Sequence, residues 1–120
     1  MAKILVVDDD IHATTLFKTL LTAKGFEAVV VNDSSIAVET AKSTNPELII
    51  LDLMMPEPNG FEVCKTLRTD PTFSEIPIVI FTAMGDNESK EAAFEAGADE
   101  FLTKPFRVED LMNRIRILIG

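Results

Sequence analysis

The sequence predicts an α/β domain in which a five-stranded parallel sheet lies between two layers of helices. Five short apolar runs recur along the chain, and a segment with helical apolar spacing follows each one. The runs are apolar throughout instead of alternating with polar residues, as in strands buried on both faces. Their connections are short. Parallel neighbours need a crossover, and right-handed crossovers place helices on both faces of the sheet.

Lys3 to Val7 is the first predicted strand, closed by Asp8-Asp9-Asp10. From Ile11 to Lys24, Ala13, Leu16, Leu20 and Ala23 recur at helical spacing, Phe17 and Leu21 widen the stripe, and Gly25 stops the helix. Phe26 to Val31 is the second strand. Asp33, Ser34 and Ser35 offer caps for a helix whose apolar face is Ile36, Ala37, Val38 and Ala41, ended by Asn45-Pro46.

The run Leu48-Ile49-Ile50-Leu51 is the third strand and leads directly into Asp52. Pro58-Asn59-Gly60 forms a turn, and Phe61, Cys64 and Leu67 mark one face of the third helix. Asp70-Pro71 begins a loop that ends at Pro77. Ile78 to Phe81 is the fourth strand, ending at Thr82-Ala83, and a polar helix from Asp86 to Ala96 stops at Gly97. Asp99 to Thr103 is a short fifth strand. After Lys104-Pro105 the last helix runs from about Arg107 to Ile119, with Leu111, Ile115 and Leu118 inward.

Length and composition fit one domain over residues 1–120, 47% hydrophobic and 26% charged. No apolar run approaches the roughly 18–20 residues that span a bilayer, and the N-terminal run is too short for a signal peptide. The single cysteine, Cys64, has no intramolecular partner and is expected as a small core residue in a reducing cytoplasm. Twenty acidic against eleven basic residues give a formal charge of −9, which disfavours direct contact with nucleic acid or anionic lipid. The acids serve either surface solubility or a cation site, and charge alone does not separate the two.

The strand ends carry the chemistry. Asp8, Asp9 and Asp10 follow the first strand, Asp52 the third, Thr82 the fourth and Lys104 the fifth, whereas the second is followed only by Asn32 and Asp33. In a parallel sheet these ends share the edge at which open α/β sheets bind ligands. Clustered carboxylates suit a hard divalent cation, Mg²⁺ or Mn²⁺, and a carboxylate such as Asp52 can be a phosphoryl-accepting nucleophile. Lys104 would neutralise charge on the phosphoryl oxygens, and the Thr82 hydroxyl would donate to one of them. No Gly-rich nucleotide loop is present, so ATP bound to this domain is not the expected donor.

Val6-Val7-Asp8-Asp9, Leu51-Asp52-Leu53-Met54-Met55-Pro56 with Asn59-Gly60, Phe81-Thr82-Ala83, Gly97-Ala98 and Thr103-Lys104-Pro105-Phe106 occur in this order and spacing. With them the chain resembles, over essentially its whole length, the receiver domain of two-component response regulators, in particular single receivers of the chemotaxis type. The resemblance implies a flavodoxin-like, doubly wound sheet of strand order 2-1-3-4-5 with five helices. It also implies Asp52 as phosphoacceptor, with Thr82 and Lys104 binding the phosphoryl group. Asp9 would ligate the metal directly, Asp8 mainly through metal-bound water, and Met54 through its backbone carbonyl. Lys104-Pro105 would be cis. Phe101, with Thr82, is the implied switch pair, Phe101 turning inward as Thr82 meets the phosphoryl group. Lacking the hydroxyl of a tyrosine, Phe101 is expected to favour the inward rotamer.

Asp10 is expected as a spacer or helix cap, and the only histidine, His12, as solvent-facing. Asn59, where the family often carries Asp, suits a turn. Met54 and Met84, each two residues beyond a site residue, orient water poorly, so slow self-dephosphorylation is expected. The implied partners are a sensor histidine kinase or histidine phosphotransfer protein and a downstream target or output domain. A phosphorylation-dependent homodimer would use the last strand and its flanking helices, with Met112, Ile117 and Ile119 as candidate docking residues. The protein would modify only itself and is not expected to be an enzyme in the ordinary sense.

Two other readings compete. A receiver that has lost phosphorylation usually lacks an acid, the Thr or the Lys, and all are present here. A haloacid-dehalogenase-type phosphatase would use Asp8-Asp9-Asp10-Ile11-His12 as Asp-x-Asp-x-Thr, but His12 replaces the Thr and the chain is short for a substrate cap. Flavodoxin itself is disfavoured by the absence of Trp and Tyr to stack a flavin.

Overall fold

Uninterrupted Val, Ile and Leu leave a strand no face for water, so each apolar run must lie between two layers. The computed structural model, which describes residues 2–119, places them there. Strands β1 (Lys3–Val7), β2 (Glu27–Val31), β3 (Leu48–Asp52), β4 (Ile78–Thr82) and β5 (Glu100–Thr103) form one parallel sheet of order β2-β1-β3-β4-β5. Helices α1 (Ile11–Ala23), α2 (Ala37–Thr44), α3 (Gly60–Thr69), α4 (Asn87–Glu95) and α5 (Val108–Ile119) cross between them.

The two-residue period of the strands divides the core. Ile4 and Val6 of β1, Leu48 and Ile50 of β3, and Val79 and Phe81 of β4 pack with Phe17 and Leu21 of α1 and Leu111 and Ile115 of α5. Their alternates, Leu5, Val7, Ile49, Leu51, Ile78 and Ile80, pack with Ala41, Val63, Leu67 and Ala93 of α2, α3 and α4. Cys64 lies in this second layer, where burial pushes its thiol up to about 11. Among the described residues no helix is long and apolar enough to cross a membrane.

Several elements depart from the sequence expectations. The inward face of α1 is Thr14, Phe17 and Leu21; Leu16 and Ala23 are exposed, and Ala13 and Leu20 are half-buried. The bulk of Phe17, whose ring meets those of Phe81 and Phe106, sets the rotation of the helix. Thr14 tolerates burial because its hydroxyl donates to the Ile11 carbonyl and accepts from Asn32 Nδ2. A 3₁₀ turn at Ser34–Ile36 precedes α2 and leaves Ile36 outside the apolar face. A second 3₁₀ turn, Pro71–Phe73, buries Phe73 within what reads as a plain loop. On α5, Leu118 is only half-buried, whereas Met112 is buried beside Leu111 and Ile115 and so is not a docking residue; Ile117 is exposed.

Candidate functional site

Parallel strands end at one edge, and their register decides which residues meet there. Val7 pairs with Leu51, Asp52 with Phe81 and Thr82 with Thr103, so Asp8, Asp52, Thr82 and Lys104 emerge as neighbours. Oxygens of Asp8, Asp9 and Asp52 lie within 4.8 Å of one another. Lys104 Nζ stands 3.5 Å from Asp8 Oδ2 and 3.5 Å from Asp52 Oδ2. The edge thus gathers three carboxylates, two of which share one ammonium.

Each side chain is held from below. Asp8 is fully buried; its Oδ1 accepts the Asp10 N–H at 3.0 Å, and its carbonyl accepts from Asn32 Nδ2. Asp52 is 4% exposed, and its Oδ1 accepts the Met54 N–H at 3.2 Å. Thr82 is fully buried, and its Oγ1 accepts the Met84 N–H at 3.3 Å. The Lys104 N–H donates to the Thr82 carbonyl at 2.8 Å, and the Lys104 ammonium lies 4.5 Å from the centre of the Phe81 ring. Lys104-Pro105 is cis, as the resemblance implies, and Glu57-Pro58 is also cis.

Burial pushes the Asp8 carboxyl above its ordinary range, and the Asp52 carboxylate adds to the shift, against the Asp10 N–H and Lys104. Desolvation and the Asp8 side chain likewise raise Asp9. A cluster of acids at this spacing, built of hard oxygen donors, fits a small divalent cation. A groove of about 470 Å³ adjoins the cluster, running between α1 and the Lys104–Phe106 segment and lined in part by Asp10, His12, Phe17 and Phe106.

Every predicted strand-end site residue therefore falls at one edge, and the predicted switch residue Phe101 lies within β5, paired with Ile80 two residues below Thr82. Phe101 is 8% exposed, its ring packed inward with Lys90 Nζ 6.0 Å from its centre. Asp10 caps α1 by accepting the His12 N–H, and His12 is exposed, both as expected. Asn59 caps α3 in a reciprocal box with Glu62. Sequence reasoning missed Asn32, which fastens β2 to the Asp8 backbone, and Phe81, which lies beside the ammonium. An Asn directly after an apolar strand was the only available signal for the first.

Sheet order and strand-edge constellation together define a flavodoxin-like receiver fold. The chain belongs to the response regulator receiver domain family, whose model matches residues 4–116. It is 39% identical over 119 residues to the DNA-binding dual master transcriptional regulator RpaA of Synechocystis, covering 99% of this chain and 49% of that protein. It is also 39% identical over 114 residues to the DNA-binding response regulator MtrA of Mycobacterium tuberculosis, covering 95% and 49%. The chain thus spans about half the length of these curated relatives.

Among solved structures, chemotaxis protein CheY4 of Vibrio cholerae superposes with a TM-score of 0.93 at 31% identity, covering 98% of each chain. The receiver domain of the sensor histidine kinase PA1611 of Pseudomonas aeruginosa, solved with a magnesium ion coordinated in its active site cleft, gives 0.92 at 26%, covering 99% of this chain and 98% of that one. Family membership sets the haloacid-dehalogenase reading aside.

Proposed function

We propose that the protein is a phosphorelay receiver in which Asp52 takes a phosphoryl group from a histidine on a sensor kinase or phosphotransfer protein. One observation carries the reading: Asp52 is buried beside Asp8 and Asp9 with the Lys104 ammonium at 3.5 Å. An Asp52 carboxylate oxygen attacks phosphorus, the P–N bond to the donor imidazole breaks, and the new P–O bond forms the aspartyl phosphate. Lys104 balances charge on the phosphoryl oxygens, and the Thr82 hydroxyl donates to one of them.

Asp8, Asp9, Asp52 and the Met54 backbone carbonyl would hold Mg²⁺, with Mn²⁺ as a substitute. When bound, the ion supplies positive charge against the carboxylates and the phosphoryl group. The groove beside α1 shares Lys104 with the site and reaches Asp10 next to Asp9, so a donor protein would lie against it.

Thr82 and Phe101 form the switch, and β5 with α4 and α5 presents the output face, where Phe94 and Ile117 are exposed and Arg114 pairs with Glu100 at 3.1 Å. A phosphorylation-dependent homodimer or a downstream protein would use this face. The acidic receiver does not itself contact nucleic acid; a DNA-binding output, as the names of the relatives describe for them, would reside in a separate domain. The protein acts in the cytoplasm, alters only its own phosphorylation, and is otherwise not an enzyme.

Incubation with acetyl phosphate and Mg²⁺ tests this by intact mass and oligomeric state. Wild type should gain one phosphoryl group, and Asp52→Ala none. Equal gain by both would remove Asp52 from the role, and no gain by wild type would favour an unphosphorylated binding module.

A further inference from the structure

The geometry points to Met54 and Met84 as a pair of oxidation sites through which a peroxide shortens the life of the phosphorylated state. The inference rests on the reading of Asp52 as phosphoacceptor. Of the four described methionines, Met55 and Met112 are buried at 8% and 5% exposure, whereas Met54 and Met84 are 57% and 36% exposed. The two exposed thioethers belong to the rim of the site. The Met54 N–H is bonded to the Asp52 carboxylate, and the Met84 N–H to the Thr82 hydroxyl. β3 and β4 are hydrogen-bonded neighbours with Asp52 opposite Phe81, so the two methionines rise from adjacent strand ends.

The one cysteine does not compete for oxidant. Cys64 is buried, its Sγ lies against the Ala96 carbonyl, and burial holds it as the unreactive thiol.

A thioether is a weak hydrogen-bond acceptor, so an aspartyl phosphate rimmed by two of them has little to align an attacking water. Hydrogen peroxide changes that. The sulfur lone pair attacks one peroxide oxygen, the O–O bond breaks, and water leaves; sulfur is oxidised by two electrons and peroxide is reduced by two. The sulfoxide oxygen is a strong acceptor on the same flexible side chain and holds water toward phosphorus. One hydrogen bond of ordinary net strength, expressed only in the transition state, corresponds to about two- to tenfold in rate. Methionine sulfoxide reductases reverse the modification, which makes it a switch instead of damage.

The test treats the purified chain with dilute hydrogen peroxide, maps oxidation by peptide mass, phosphorylates with acetyl phosphate and Mg²⁺, and follows decay of the phosphoryl mass. Met54 and Met84 should oxidise before Met55 and Met112, and decay should quicken about two- to tenfold. Reductase treatment should return the original rate, and the Met54→Leu/Met84→Leu variant should decay alike with and without peroxide. Oxidation without preference for the rim, decay unchanged or slowed, or equal acceleration in the double variant would each overturn the inference. Failure of untreated protein to gain a phosphoryl group would overturn the Asp52 reading and this one with it; normal gain with unchanged decay overturns only this one.

Discussion

The Lys104 ammonium stands 3.5 Å from the Asp52 carboxylate, and it is the only cation paired with that side chain among the described residues. The separation is that of an ion pair with room for rearrangement, not of a tight hydrogen bond. Lys104→Met keeps the length of the side chain and removes the charge. Phosphoryl gain from acetyl phosphate should slow by about a hundredfold, the scale for losing one preorganised electrostatic contact. A rate within a few-fold of wild type in a mass time course would deny Lys104 its role.

Asp8 predicts a pH and metal dependence. Its carboxyl is raised by burial first and by Asp52 after it, so the folded protein binds the proton more tightly than the unfolded chain does. The resulting stability is present below the unfolded value of 3.8 and is lost as pH rises through the folded one, leaving a penalty at neutral pH. Asp8→Asn should therefore stabilise the metal-free protein at pH 7 by about 1 kcal/mol and weaken the rise in melting temperature expected of wild type on adding Mg²⁺. Thermal melts in chelator and in Mg²⁺ check both; a destabilised metal-free variant would contradict the first.

Phe101 is packed inward, and a tyrosine there would carry a hydroxyl into the same apolar layer. Phe101→Tyr should turn part of the population outward or cost about 1 kcal/mol. NMR of the unphosphorylated wild type should show the inward ring; a mainly outward ring would refute the preference.

Gly60 begins α3 directly against the end of β3. A Cβ there would overlap the Asp52 carbonyl and approach Leu53 Cα to 2.6 Å, and both are backbone atoms that cannot swing away. Gly60→Ala should cost about 3 kcal/mol in denaturant unfolding and slow phosphoryl gain, because the strand end carrying Asp52 must shift. Unchanged stability would mean that the approach of α3 to β3 is looser than found.

Arg68 ties down the opposite edge. Its guanidinium donates to the carbonyls of Gly97 at 2.8 Å, Phe73 at 2.9 Å and Ile76 at 2.7 Å, and to Asp99 Oδ2 at 2.8 Å. Gly97 itself, at φ +111, leaves no space for a side chain beside Arg68. Arg68→Lys cannot reproduce a planar fork and should lose about 2 kcal/mol of stability without changing phosphoryl chemistry. A melting temperature like that of wild type would show that the carbonyls find water at little cost.

The apolar runs before Asp8, Asp52, Thr82 and Lys104 announce buried parallel strands, because they are short, lack a polar face and alternate with helical segments. The C-terminal residues of such strands must share an edge, so the membership of the site followed from chain order. Helix rotation did not follow: Leu16 and Phe17 are both apolar, and only the fit of Phe17 against Phe81 and Phe106 decides which one is buried. Met112 was misread for the same reason, since exposure on α5 depends on the depth of the layer beneath it. Arg68 and Phe73 were invisible and Asn32 showed only as a polar residue after a strand, because their partners are set by packing between distant elements.

By itself, then, the sequence determined the strands, their order of chemistry and the cast of charged residues at one edge, because local pattern and connection length constrain those. The tertiary structure alone decided the 3.5 Å meeting of Lys104 with Asp8 and Asp52, the fastening of Asp8 by Asn32, and the exposure of Met54 and Met84 beside buried Met55. Those depend on register and on how closely elements distant in the chain approach, and steric fit across the sheet sets that approach.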